Sequence, residues 1–291
     1  MKTVRSLLGL PAPAKLNLFL HVIGRRPDGK HLLQSVFILL SLHDTIDLMI
    51  LEEDRIERIG DVIGEAEKDL CVRAARLLKD TYGISEGVRI RVTKRIPAGA
   101  GMGGGSSDAA TVLIGLSRLF RLNLSRDTLM TLGERLGADV PFFIWGRPGF
   151  VEGIGERIRP VEVPPARYAV IWPGKGLSTA KIFASPNLTR DTESMTIAIF
   201  SDAVHDVWPV LYGRNDLQPV AEALEPRVSQ ALELLASCSS PRMTGSGSAV
   251  FGVVGTKSSA SFELPALPDQ WIGFDVESIA EHPLAAWLDG K

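Results

Sequence analysis

Between residues 14 and 22 apolar and polar positions alternate, Leu16, Leu18 and Leu20 against Lys15, Asn17 and His21. A period of two predicts a half-buried strand with its polar residues on a wet face. Arg-Pro-Asp-Gly at 26–29 is a turn, and 36–42 and 45–51 read as two further strands. Asp69 caps a helix carrying Leu70, Ala74, Leu77 and Leu78, and Gly83 closes it. Val88, Ile90 and Val92 alternate with Arg89, Arg91 and Thr93, which gives a strand with one solvated face.

A glycine-rich loop then leads into a helix over 106–120, and Ser125 caps a second helix that stops at Gly137. Residues 150–160 form a hairpin around Gly153 and Gly155, and Val-Pro-Pro-Ala at 163–166 is the linker candidate. Beyond it lie a strand over 168–172, a short helix over 179–183, helices over 215–224 and 227–236, and a second glycine loop entering a strand near 251. The order predicts an α+β protein in two halves, 1–160 and 161–291.

With 291 residues the chain is long enough to bury a sizeable core. A formal net charge of −2 carries no polyelectrolyte signature, so nucleic acid is not the expected partner. No apolar run reaches the 18 or so residues of a membrane helix. Lys2, Arg5 and the apolar run 7–10 imitate the start of a signal peptide, but that run is too short for one. Cys71 and Cys238 are too few for a disulfide framework. The expectation is a cytoplasmic protein.

Five glycines fall within residues 99–105. Without side chains, backbone N–H groups there can converge on one anion, and the following helix adds its positive end. A phosphate is the natural guest. The loop lacks the Gly-Lys-Ser/Thr ending of a Walker A motif, since Gly105 is followed by Ser106 and Ser107. Gly99, Gly101 and Gly104 spell G-x-G-x-x-G, but the preceding strand alternates with arginines and a second helix follows where a dinucleotide fold needs a strand. Ser106 and Ser107 can cap the helix or bind phosphate and Mg²⁺. Lys94 can reach a nucleotide or stand as a solvated strand end. Asp139, a lone carboxylate between Ala138 and Val-Pro-Phe-Phe, is either an N-cap or a base whose pKa its apolar neighbours raise.

Three stretches, Pro-Ala-Lys-Leu-Asn-Leu (13–18), Pro-Ala-Gly-Ala-Gly-Met-Gly-Gly-Gly-Ser-Ser (97–107) and Gly-Ser-Gly-Ser-Ala-Val-Phe (245–251), together resemble the three motifs of the GHMP small-molecule kinases. Arg-Pro-Asp-Gly-Lys-His (26–31), Gly-Ala-Asp-Val-Pro-Phe-Phe (137–143) and Arg-Met-Thr-Gly-Ser-Gly (242–247) look like the 4-diphosphocytidyl-2-C-methyl-D-erythritol kinase branch. The resemblance runs from about residue 11 into the C-terminal region. It implies a two-domain fold with the active site in the interdomain cleft, and transfer of the ATP γ-phosphate to the 2-hydroxyl of the methylerythritol unit, with Mg²⁺ accompanying ATP.

It also implies roles. Lys15 and Asp139 match the catalytic pair. Lys94, Pro97, Ala98, Gly99, Ala100, Gly101, Met102, Gly103, Gly104, Gly105, Ser106 and Ser107 match the ATP site, which Gly245, Ser246 and Gly247 close from the second domain. Asn17, Lys30, His31, Thr179 and Phe183 match the substrate site, His31 and Phe183 toward the cytosine. Asn215 and Asp216 resemble a polar pair preceding a helix, where capping is their other reading. Two positions depart from the family pattern: Lys30 stands where a stacking tyrosine is usual, and Asp69 where an adenine-contacting asparagine is usual. A GHMP kinase for another alcohol, such as mevalonate or homoserine, and a nucleotide-binding protein without kinase activity are the rival readings.

Overall fold

The computed structural model describes residues 5–61, 64–256 and 262–289. Two long strands organise it, β1 (Ser6–Arg25) and β2 (His31–Leu51), paired antiparallel through the turn at 26–30. Where two strands are expected over 36–42 and 45–51, the structure has one. Val36, Ile38, Leu40 and Leu42 pack into one core while Phe37, Leu39, Ile46 and Leu48 pack into another. Burial on both faces removes any need for a break at His43-Asp44, whose carboxylate is fully buried and hydrogen-bonded.

The chain continues as β3 (Ile56–Gly60), α1 (Leu70–Tyr82), β4 (Gly87–Thr93), α2 (Gly104–Leu119), α3 (Arg126–Glu134), α4 (Val140–Trp145), β5 (Gly149–Gly153) and β6 (Arg157–Pro160). Then come β7 (Ala166–Trp172), α5 (Thr179–Ala184), α6 (Ile197–Val207), α7 (Gln218–Leu224), α8 (Arg227–Leu234), β8 (Ser239–Met243), β9 (Val250–Thr256), β10 (Ile272–Ile279) and α9 (Ala285–Leu288). The expected α+β character is observed. Expected caps hold as well: Asp69 accepts from the Cys71 and Val72 N–H groups, Gly83 ends α1 at φ 63°, and Ser125 accepts from Thr128. The helix after Ser125 ends at Glu134 rather than at Gly137. β3, α6 and β10 were not legible as periodic segments.

Among the described residues ten strands form one sheet in the order β3-β4-β2-β10-β7-β9-β8. β1 lies against β2 along its length, while β5, β10 and β4 share the rest of β2 at residues 33–37, 39–40 and 45–51. β10 thus returns from the C-terminal half to pair with β2. α2 is apolar on nearly every side and packs against β1, β2, α1 and α4. A Cβ at Gly115 would lie 2.5 Å from Leu48 and 2.8 Å from Leu10, so glycine lets α2 approach the sheet closely.

β1 differs from its expected half-wet form. Lys15, Asn17 and His21, its polar face, are all buried. Alternation showed which residues share a face. It did not show that the face would be covered, here by the second glycine loop and the segment before α7.

Candidate active site

The first glycine loop links β4 to α2 and lies against the second, at residues 244–249. Ala249 N–H donates to the Ala100 carbonyl at 3.0 Å, Ser248 N–H to that of Gly99 at 3.3 Å, and Lys15 N–H to that of Met102 at 3.0 Å. The two loops touch backbone to backbone. A Cβ on Gly101 would lie 2.3 Å from the Thr244 carbonyl oxygen, and one on Gly245 2.6 Å from that of Gly101.

With these carbonyls turned into the protein, none of the N–H groups of residues 98–106 donates to another described residue. The loop borders a cavity of about 550 Å³ at the start of α2. Unpaired N–H groups at an open cavity, beside a helix N-terminus, make an anion site. The Cβ of a residue at 103 would strike Phe143 at 2.7 Å and Lys15 at 3.2 Å, not a guest in the cavity. Glycine there is required by packing and by a φ of 72°.

Lys15 and Asp139 meet across the same cavity. The Lys15 ammonium, on a side chain 4% exposed, lies 3.7 Å from Asp139 Oδ2, donates to Asn17 Oδ1, and sits 4.7 Å from the Phe37 ring centroid. At 3.7 Å the Lys15–Asp139 contact is an ion pair rather than a hydrogen bond. Burial pulls the Lys15 pKa down from the ordinary lysine value, and the Asp139 charge opposes that pull. Asp139 occupies the N-cap position of α4 but makes no capping bond. The expected apolar enclosure is also absent: Val140, Pro141, Phe142 and Phe143 turn into the core, whereas the Asp139 side chain is 34% exposed and lines the cleft.

Asn17 is committed to the protein. Its amide donates to Ser35 Oγ at 3.0 Å, its oxygen accepts from Lys15 and from Thr244 Oγ1 at 3.4 Å, and its N–H donates to Thr244 Oγ1 at 2.9 Å. It orients Lys15. Ser106 borders the cavity, whereas Ser107 is fully buried and its hydroxyl has no hydrogen-bond partner among the described residues. Neither caps α2, whose N-cap is Gly103.

Lys94 also borders the cavity, but it is no free strand end. Its ammonium binds Asp44 at 2.5 Å and Asp108 at 2.7 Å, and Asp44 also accepts the Arg95 and Ile96 N–H groups. Burial pushes the Asp108 carboxyl up to about 7, against the pull of Lys94. Asp69 is likewise occupied, capping α1 and pairing with Arg58 at 2.9 Å.

Thr179 Oγ1 lies 2.7 Å from Ser246 Oγ, which ties α5 to the second glycine loop. Phe183 and His31 stack, with centroids 4.8 Å apart and planes at 28°. They border a second recess, with Lys30 exposed beside them, that shares Leu33, Ala138, Ile154 and Phe183 with the main cavity. The ring against Phe183 is therefore His31, not the side chain at 30. Asn215 exceeds a capping role, since its amide donates to the Met243 and Gly245 carbonyls at 2.8 Å each and anchors the second loop. Asp44, Thr244 and Arg190 hold cavity-lining residues in place, and the sequence did not single them out, because Lys94, Asn17 and His31, which they hold, lie 50, 227 and 159 positions away.

Residues 69–147 match the model of the GHMP kinases N terminal domain, and residues 196–273 match that of the GHMP kinases C terminal region. A 4-diphosphocytidyl-2-C-methyl-D-erythritol kinase of Burkholderia mallei (strain SAVP1) is 47% identical over 98% of each chain. One of Polynucleobacter necessarius subsp. necessarius (strain STIR1) is 50% identical over 95% of this chain and 94% of its own. The chain belongs to the 4-diphosphocytidyl-2-C-methyl-D-erythritol kinase family of GHMP kinases. A crystal structure of a 4-(cytidine 5'-diphospho)-2C-methyl-D-erythritol kinase superposes with a TM-score of 0.74 at 30% identity, covering 94% of this chain and 99% of that one. A homoserine kinase from Cytophaga hutchinsonii shares the fold at 16% identity, with a TM-score of 0.65 over 88% of this chain and 87% of its own. Membership in a kinase family implies ATP as the phosphoryl donor.

The interlocked loops then give a prediction. Gly101→Ala meets both a φ of 77° and the Thr244 carbonyl. The φ alone costs roughly 1–2 kcal/mol, and parting the loops disperses the N–H groups. The variant is expected to melt lower and bind ATP more weakly. Gly105→Ala, whose Cβ meets only Leu70 at 3.8 Å, is expected to melt close to the parent. Equal melting temperatures for the two variants in a thermal scan would refute the interlock.

Proposed function

We propose that this chain transfers the γ-phosphate of ATP to the 2-hydroxyl of 4-diphosphocytidyl-2-C-methyl-D-erythritol, the reaction that names its family, with the roles that follow. The observation that carries the reading is one cleft containing both the unpaired N–H groups of residues 98–106 and, facing them, the Lys15–Asp139 pair. The N–H groups and the positive end of α2 hold the phosphates. Asp139 accepts the hydroxyl proton, having no capping duty to compete. Lys15, aimed by Asn17, pairs with Asp139 and offsets charge on the transferring phosphoryl group. Gly245, Ser246 and Gly247 close the phosphate site.

Among the described residues no three His, Cys, Asp or Glu converge as a metal site. A Mg²⁺ ion carried on the nucleotide needs few protein ligands, because it keeps waters and phosphate oxygens. The Ser106 hydroxyl at the cleft fits as one of them. Lys94, held between Asp44 and Asp108, acts mainly by fixing the entry to the loop. We read residues 1–160 as the ATP-binding unit and 161–291 as the C-terminal unit, with the cleft between them. Among the described residues no helix is long and apolar enough to cross a membrane, and a cytoplasmic enzyme is the reading that goes with this metabolic role.

The test is ADP release by purified protein with ATP, Mg²⁺ and, in turn, the cytidine-diphosphate-linked alcohol, mevalonate and homoserine. Turnover with the first alone is expected. Turnover with either of the others in its place would overturn the assignment.

The base lies in the recess bordered by Lys30, His31 and Phe183. Stacking on an aromatic is worth roughly 1–3 kcal/mol per base, and a lysine stem covers less than a ring. Lys30→Tyr is expected to lower KM for the cytidine-linked substrate by roughly fivefold, about 1 kcal/mol, and to leave KM for ATP unchanged. Phe183→Ala is expected to raise it far more than Lys30→Ala does. Steady-state kinetics of the three variants gives the ranking, and a silent Phe183→Ala would remove the base from this recess.

A further inference from the structure

Arg190 lies in the irregular stretch between α5 and α6, and no motif points to it. All three nitrogens of its guanidinium are engaged. Nη1 donates to the Leu188 carbonyl at 2.9 Å, and Nη2 to those of Phe183 at 3.0 Å and Ser185 at 2.7 Å. Nε donates to His31 Nε2 at 3.0 Å. One planar, rigid group thus grips the end of α5 and the start of β2, from which the stacked pair Phe183 and His31 projects.

The chemistry of that last bond is one-way. A guanidinium can only donate, so His31 Nε2 must accept, and a neutral imidazole that accepts at Nε2 carries its proton on Nδ1. Nδ1 has no hydrogen-bond partner among the described residues. Stacked on Phe183 and lining the recess, the imidazole has one ring nitrogen left for a guest, and in this tautomer that nitrogen is a donor.

We propose that Arg190 is the positioning residue that sets base specificity: by fixing His31 as the Nδ1–H tautomer, it makes the recess accept a cytosine edge and refuse a uracil edge. The proposal rests on the cytidine-linked reading above. Cytosine carries an acceptor at N3 where uracil carries an N–H. A donor that cannot become an acceptor pairs with the first and opposes the second. A histidine free to exchange tautomers would tolerate both.

The charges around His31 favour the neutral ring. Burial lowers its pKa first, and Arg190 and then Arg25 of β1 lower it further. Arg26, Lys30, Glu134 and Glu156 stand around the same recess.

Two measurements on the full chain test the proposal. Long-range proton–nitrogen correlation of ¹⁵N-histidine protein, with His31 assigned by its loss in His31→Asn, reports which ring nitrogen is protonated. Protonated Nδ1 and bare Nε2 are expected at neutral pH. The reverse overturns the tautomer lock, whether or not any substrate is turned over.

The second compares kcat/KM for the cytidine-linked substrate and its uridine-linked analogue. Arg190→Met is expected to shrink the cytidine preference by roughly tenfold, about the worth of one hydrogen bond at a base edge, with KM for ATP unchanged. Arg190→Lys, still a donor-only cation, is expected to keep most of the preference. A purely structural role would weaken both substrates alike, so an unchanged ratio in Arg190→Met overturns the proposal. If Arg190→Met does not fold, loss of the preference in Arg190→Lys overturns it instead. If the wild type turns over neither substrate, the functional reading fails and the nitrogen spectrum still decides the tautomer.

Discussion

Asp139→Asn is expected to fold, to bind ATP with near-normal affinity, and to lose roughly 10²–10⁴ in kcat, the contribution of a positioned acid–base group. The structure favours a clean result. The side chain makes no capping bond, and asparagine suits an N-cap position about as well as aspartate. The Asp139 side chain is one-third exposed, and the buried Lys15 ammonium that loses its counter-charge keeps Asn17 Oδ1 as an acceptor. What changes is the ability to take a proton and the charge opposite Lys15. ADP release and calorimetry with ATP, on the same preparation, separate chemistry from binding. A kcat within a few-fold of wild type would remove Asp139 from the chemistry.

Lys15→Met is expected to lose activity without losing stability. Losing one preorganised charge aimed at the developing phosphoryl charge costs roughly 10²–10³ in kcat, by analogy with the loss of a single oxyanion donor. Stability should hold or rise, because replacing a desolvated charge by an apolar side chain of similar shape is often neutral or stabilising by about 1–4 kcal/mol. The Lys15 ammonium is buried against the Phe37 ring, where a methionine thioether packs well. Asp139 keeps its contact with water, and Asn17 Oδ1 keeps Thr244 as a donor. Chemical denaturation beside steady-state kinetics reads both quantities. An inactive variant that was also several kcal/mol less stable would make Lys15 a structural residue first.

Much of the local structure was readable. Strand alternation, the Asp69 and Ser125 caps, the αL glycine at 83 and the apolar run of α2 are decided by neighbours within a turn or two, and each stands where its pattern put it. The merging of 36–42 and 45–51 into β2 was not readable. A run buried on both faces carries no sign of whether it continues, and a buried Asp44 looks like a turn residue until its partners 50–52 positions away are known.

By itself the sequence determined which groups were present: a glycine loop without a lysine ending, one lysine and one aspartate in matching motifs, and the aromatic Phe183 with His31. Tertiary structure decided what each group is free to do. It covered the polar face of β1, so that Lys15 became a desolvated cation rather than a solvated one. It turned the Asp139 neighbours inward and its carboxylate outward. It spent Lys94 and Asn17 on other side chains, and brought Arg190 to His31 across 159 positions. The reason is that periodicity fixes which residues share a face, through backbone geometry alone. What covers that face, and hence its dielectric and hydrogen-bond partners, depends on contacts between segments that carry no mutual signal along the chain.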